Sequence, residues 1–403
     1  MALPHRVLVA PSGFKESLSA AQVADAIAAG VRRVVPGVHV TTVPIADGGE
    51  GTAETLAEAT DGRLVPVRVT GPTGEPVDSH YAELGGESRG TAVVEMAAAA
   101  GLRLVPRDHR DPTLTTTRGV GELIVAALDA GCERIIVGCG DSGTCDGGAG
   151  ALQALGARIL DAHGAPIGTG GAALADAVAL DLSGLHPRLT EVEIVVACNP
   201  TNVLCGDRGV ARVFGPQKGA TPEQVERLSA GLESWARLLA AHAVGSATTS
   251  DFRTGLGTGA SGGLGAGLAA IGATLQSRFA ALLDSGLAGI QLDRLIANAD
   301  LVITAEGAID LQTPHGKVPA EVARRAKRAG APVLAMAGSL GEGAVDVHDI
   351  GIDAIASIIP VPMRLEDAVD RGAQLLADAT ARTVRIMALG ASMSDSIRRR
   401  DAA

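Results

Sequence analysis

Short, nearly all-apolar segments alternate with helix-patterned ones at both ends of this chain, and that alternation restricts the fold more than any other feature. Near the start the pattern predicts a strand over residues 6–10, a helix over 20–35 with Ser19 as its N-cap, and a strand over 38–44. The last third predicts strands over 301–304, 332–337 and 354–359, with helices over 319–328 and 365–389. Strands apolar on both faces belong to parallel sheets covered on both sides by helices. The two ends therefore predict one doubly wound α/β domain, 1–63 with 289–392. The middle reads differently. Residues 63–70 and 81–84 alternate like half-exposed antiparallel strands around a Gly71-Pro72-Thr73-Gly74 turn. Strands at 91–96, 134–137 and 193–197 and helices at 120–130 and 149–155 follow. Residues 64–288 are thus expected to form a second α/β domain inserted into the first. With 403 residues the chain exceeds what one core holds. Residues 393–403, with Arg398, Arg399 and Arg400, read as a solvated tail.

Composition narrows the function classes. A hydrophobic content of 46% with 20% charged residues describes a globular chain. The net charge of −11 argues against a nucleic-acid face, which needs clustered Lys and Arg. One Trp, one Tyr and four Phe are too few for base-stacking platforms. The five cysteines form no C-x-x-C pair, so neither a zinc site nor a disulfide framework is expected. No signal peptide or bilayer-spanning run is visible. The expectation is a cytoplasmic protein whose partner is a small hydroxylated substrate, without nucleic acid or membrane; a homo-oligomer is left open.

The chemistry concentrates in glycine-rich loops that follow the strands: Ala46–Thr52, Gly138–Gly148, Gly255–Gly263 and Ala305–Asp310. Glycine lets backbone N–H groups crowd around an anion, and a following helix N-terminus adds partial positive charge. Several such loops with carboxylates beside them suggest a site where phosphates and a divalent metal meet. Asp47 and Glu50 flank Gly48-Gly49; Glu306 and Asp310 lie four apart, suited to ligating Mg²⁺ or complementing a helix dipole. Lys15 sits just past the first strand, where a point charge can meet a triphosphate, and Lys317 beside His315 is a second phosphate candidate. Gly138-x-Gly140-x-x-Gly143, with Asp161 about twenty residues on, has the layout of a dinucleotide fingerprint, so an NAD-dependent dehydrogenase is an alternative reading. Asp141 inside that loop opposes a pyrophosphate seat. No Walker A motif is present, since Gly316-Lys317 lacks its flanking residues.

Taken together these loops, with Phe14-Lys15-Glu16-Ser17-Leu18-Ser19-Ala20, Glu95-Met96-Ala97-Ala98-Ala99, Gly121-Glu122-Leu123 and Phe214-Gly215-Pro216-Gln217-Lys218-Gly219-Ala220, resemble the bacterial glycerate kinase family of the non-P-loop type. The matching stretches run over nearly the whole chain. The resemblance implies two α/β domains around a cleft, ATP and Mg²⁺, and phosphoryl transfer to a hydroxyl of glycerate. Some cleft loops depart from the family pattern: Ser12-Gly13 stands for Asp-Ser, Asn199 for an Asp, and Ala308 for an Arg. Because an arginine fork is the usual carboxylate partner, the missing Arg opens an alternative acceptor, a neutral polyol, sugar or cyclitol.

Phosphoryl transfer asks a protein for alignment and charge neutralisation. On this reading Lys15, Asp47 and Asp310 are the catalytic candidates, with Asp47 taking the hydroxyl proton. Gly138, Gly140, Ser142, Thr144, Asp146, Gly147, Gly148 and Lys317 would hold the nucleotide, and Glu306 with Asp310 the metal. Gly48, Gly49, Glu50, Asn199 and Ala308 would line the acceptor.

Overall fold

The computed structural model describes residues 3–14, 17–244 and 251–401, with 394–401 described by backbone alone. The chain divides into two compact units, Met1–Ala46 with Gly289–Ala403, and Asp47–Ala288.

The first unit holds a five-stranded parallel sheet in the order Ala354–Ser357, Val333–Leu340, Leu301–Ile309, Arg6–Val9, His39–Thr42. Alternate side chains serve the two faces. Val7, Val9, Leu301, Ile303, Leu334 and Met336 join one core with the helices Ala20–Arg32 and Gly372–Asp401. The helix Val318–Ala329 packs on the two strands beside it and buries Val318, Val322, Ala323 and Ala326. Ser19 caps the first helix: its hydroxyl accepts from the Gln22 amide N–H, and the Gln22 side chain accepts from the Ser19 N–H. The helix expected over 365–389 is two helices, Leu365–Asp370 and Gly372–Asp401. The second runs on to Asp401, through the part of the expected tail that lies within the described residues; the side chains of Arg398, Arg399 and Arg400 lie outside the described residues.

The second unit is built on a six-stranded sheet in the order Thr274–Ser277, Glu193–Cys198, Arg134–Gly138, Thr91–Glu95, Pro76–Glu83, Arg63–Thr70. The first four run parallel, and Pro76–Glu83 pairs antiparallel with both its neighbours. The unit starts at Asp47, not at 64. The helix Thr52–Thr60, not anticipated from the sequence, packs on the strands Arg63–Thr70, Pro76–Glu83 and Thr91–Glu95 and buries Leu56 beside them. A second unanticipated helix, Pro222–His242, carries the buried Trp235, whose indole N–H donates to the Gly147 carbonyl at 2.9 Å. Among the described residues no helix is long and apolar enough to cross a membrane.

Helices Arg118–Asp129 and Ala149–Ala154 approach backbone to backbone at Gly121. A β-carbon there would lie 2.4 Å from the Ala151 carbonyl oxygen and 2.7 Å from the Ala154 side chain. Gly121→Leu forces these helices apart and should destabilise the second unit by about 3 kcal/mol. Urea unfolding reads this directly; an unchanged midpoint would rule out the close contact.

Candidate active site

In the second unit the four parallel strands end on one edge, where ligands of such sheets bind. Their register aligns Ser277 with Cys198, Ala197 with Gly138, and Gly138 with Glu95. The residues that follow are Arg278, Asn199 and the loop Cys139–Asp141. Against this row sits the loop Asp47–Gly51. A β-carbon on Gly140 would fall 2.5 Å from Gly49 Cα, and one on Gly138 would fall 2.8 Å from the Gly48 carbonyl oxygen. Two glycine loops are therefore interlocked main chain on main chain. Side chains secure them: Asp47 Oδ1 accepts from the Gly49 N–H at 3.0 Å, Thr52 Oγ1 from the Gly48 N–H at 3.0 Å, and Asp141 Oδ2 from the Glu50 N–H at 3.3 Å. Asp141 does this from a left-handed backbone, φ 54°, a strained state for a residue with a β-carbon.

Cations balance the acids. The Arg278 guanidinium donates to the Asp47 carbonyl at 3.2 Å and lies 3.5 Å from Asp47 Oδ2. Arg103 pairs with Glu50 at 3.2 Å. Behind the loop, Glu95 is buried and accepts from the Ala53 N–H in the first turn of the Thr52–Thr60 helix. Burial pushes its carboxyl up to about 8, the Glu54 charge adds to this, and N–H bonds from Ala53 and Gly51 oppose it. Glu54 in turn meets His80 Nε2 at 3.1 Å; their hydrogen bond holds the Glu54 carboxyl low and the His80 imidazole high. Sequence reasoning missed Arg278, Arg103 and the Glu95 cluster. The one available signal was Arg278's place directly after a short strand.

Several expected nucleotide contacts are turned inward. Asp146 is buried and accepts from the Thr117 N–H at 2.8 Å, the Thr117 hydroxyl at 2.9 Å, and the N–H groups of Gly148 and Gly150 at 3.2 Å. Its carboxylate thus holds the starts of two helices. Thr144 is buried, and its carbonyl accepts from Lys218 Nζ at 2.7 Å; the same ammonium donates to Ser142 Oγ at 2.9 Å. Desolvation lowers the pKa of this buried lysine. Gly147 and Gly148 pack in the interior, Gly147 N–H donating to the Gly262 carbonyl at 3.0 Å. The Gly255–Gly263 loop thus braces this segment. The dinucleotide fingerprint does not hold either. No helix begins at Gly143, the next one starting at Ala149. Asp161 follows a strand of a separate two-stranded ribbon and accepts from the N–H groups of His163 and Ala165.

The first unit carries its own polar cluster. The strand expected to stop at 304 continues to Ile309, so Glu306 lies within it, opposite Ala337, and Asp310 just beyond. Lys317, at the cap of the Val318–Ala329 helix, places its ammonium 3.3 Å from both Glu306 and Asp310 and 3.5 Å from the Ala308 carbonyl. Among the described residues no group of three or more His, Cys, Asp or Glu stands together as a metal cage. Lys15 lies outside the described residues. In the second unit Asn199 closes a turn, its side-chain oxygen accepting from the Thr201 N–H and hydroxyl.

Comparison with known proteins identifies the family. The model of the glycerate kinase family matches residues 7–388. A glycerate kinase of Bacillus subtilis (strain 168) is 48% identical over 379 residues, covering 94% of this chain and 96% of that one. A glycerate 2-kinase of Escherichia coli (strain K12) is 45% identical over 369 residues, covering 91% and 94%. The crystal structure of a putative glycerate kinase 2 from Salmonella typhimurium LT2 superposes with a TM-score of 0.76 at 45% identity, covering 96% of this chain and 99% of that one. A phosphotransferase with an alcohol acceptor is the class these likenesses define. The chain belongs to the glycerate kinase family.

Glu95 gives the second unit a pH signature. Between the ordinary carboxyl value and about 8 the folded chain keeps a proton that the unfolded chain releases. Stability from this group is therefore complete at low pH and declines as pH rises through that window. Glu95→Gln carries a neutral head at every pH, while Glu54, His80 and Arg103 are common to both proteins. From pH 5 to 8.5 the wild type should lose on the order of 4 kcal/mol more than Glu95→Gln. Parallel urea-unfolding profiles for the two would contradict the buried, proton-holding carboxyl.

Proposed function

We propose that this protein is a glycerate kinase, moving the γ-phosphoryl group of ATP to a hydroxyl of glycerate. The reading is carried by its likeness, over nearly the full length of both chains, to proteins named glycerate kinase. A dehydrogenase finds no support in the Gly138–Gly143 loop, and a neutral acceptor none among those relatives. Phosphoryl transfer is served by groups that align reactants and neutralise charge. Asp47 orients the acceptor hydroxyl and takes its proton. The loop of Gly48, Gly49 and Glu50, with Asn199, shapes the acceptor's surroundings. The backbone of the Gly140–Ser142 segment meets phosphate oxygens.

Mg²⁺ bound with the nucleotide would supply neutralisation of phosphate charge, and one or two carboxylates would suffice to hold it. Glu306 and Asp310 fit that donor set, and Lys317 shares their charge. The Lys317 ammonium keeps the pair from gathering negative charge alone.

A coupled ADP-release assay with Mg·ATP tests the reading. ADP should form with glycerate, with a phosphoglycerate signal by ³¹P NMR, and not with glycerol, erythritol or inositol. Turnover on a neutral polyol and silence with glycerate would contradict it.

A further inference from the structure

We infer that the Ser142 hydroxyl, oriented from its buried side by the Lys218 ammonium, donates its proton to a phosphate oxygen of the nucleotide. The inference rests on the kinase reading above and adds a side chain that holds the nucleotide and the residue that positions it. Lys218 ends the short turn Pro216–Lys218 and is buried. Its Nζ donates to the Thr144 carbonyl at 2.7 Å and to Ser142 Oγ at 2.9 Å. Burial disfavours the charged form of this lysine, and the charge of Asp146 opposes that. A cation kept in the interior by such bonds has fixed geometry, and so has the hydroxyl it holds.

A hydroxyl carries one proton and two lone pairs, whereas an ammonium carries only protons. Lys218 therefore occupies a lone pair of Ser142 and cannot accept its proton. Among the described residues Lys218 is the one hydrogen-bond partner of the Ser142 side chain. Ser142 is half-buried, while Lys218, Thr144 and Asp146 beside it are buried, so the proton is left for the accessible side of the loop. The cation also draws electron density from the oxygen, which makes this O–H a stronger donor than that of an ordinary serine. An ionised phosphate oxygen is the acceptor such a donor suits best. The carboxylates of Asp47, Glu50 and Asp141 gather at the adjoining loop contact. Within Gly140–Ser142, the serine is thus where an anion meets a donor backed by positive charge.

Calorimetric titration with Mg²⁺ and AMP-PNP, an unhydrolysable ATP analogue, tests this beside steady-state kinetics. Ser142→Ala, Lys218→Met and the double variant are compared with the wild type, each checked by its melting temperature. Ser142→Ala should raise Kd for AMP-PNP and KM for ATP about 10-fold, while KM for glycerate stays within about 3-fold. Lys218→Met should weaken AMP-PNP by a similar factor and lower the melting temperature. The double variant should bind within about 2-fold of the weaker single one, because the lysine acts through the serine. An unchanged Kd in Ser142→Ala would overturn the inference, as would a rise confined to the glycerate KM. Single effects that multiply in the double variant would overturn the positioning role of Lys218. If Lys218→Met does not fold, Ser142→Ala keeps the lysine and still decides whether the hydroxyl meets phosphate. A wild type inactive on glycerate with Mg·ATP would overturn the parent reading instead, so the two failures are separable.

Discussion

The contact on which the second unit's site depends is made without side chains. The loops Asp47–Gly51 and Gly138–Asp141 approach so closely that a single added carbon on Gly140 would fall 2.5 Å from Gly49 Cα and 2.8 Å from its nitrogen. Main chain cannot retreat as a flexible side chain can, so Gly138 and Gly140 must be glycine. That approach fixes where Asp47, Glu50 and Asp141 project. Helix Thr52–Thr60 leads away from the contact, and the buried Glu95 carboxyl holds its first turn. Precision of this kind is what phosphoryl transfer asks for, since the chemistry needs placement more than covalent help.

Around the contact, charges are arranged in pairs at graded depth. Asp146 lies deepest and binds only N–H and hydroxyl groups of its own fold. Lys218 ties Ser142 and Thr144 from the inside. Arg278 and Asp47 lie nearer the surface, and Arg103 with Glu50 at the rim. Buried ions are costly unless bonded, and these are bonded. Deep charges shape the loops while the outer ones remain close enough to solvent to meet a ligand. The first unit repeats the scheme with Lys317 shared between Glu306 and Asp310.

Periodicity made much of the fold legible. The parallel sheet from both chain ends, the inserted α/β unit and the Arg63–Thr70 hairpin strand all follow from patterns of apolar residues and turn signals. Elements rich in Ala, Gly and Thr were harder to read. Thr52–Thr60 has few large apolar side chains, and its start is stabilised by Glu95, distant in sequence, so no local signal announces it. The glycine loops were legible as chemistry but not as direction. Spacing alone cannot tell that Asp146 points into the core while Asp47 faces the loop surface. Arg278 was silent for a related reason: an isolated arginine carries no pattern until strand order brings it beside Asp47.

Steady-state kinetics of Gly140→Ala on glycerate, beside Gly168→Ala as control, test the central contact most directly. At Gly168 an added carbon would meet only the Ala173 side chain at 3.8 Å. The account predicts that Gly140→Ala remains folded but loses about 100-fold in kcat/KM, because the Asp47 loop is displaced, while Gly168→Ala stays near wild type. A Gly140→Ala enzyme with wild-type kcat/KM would contradict it.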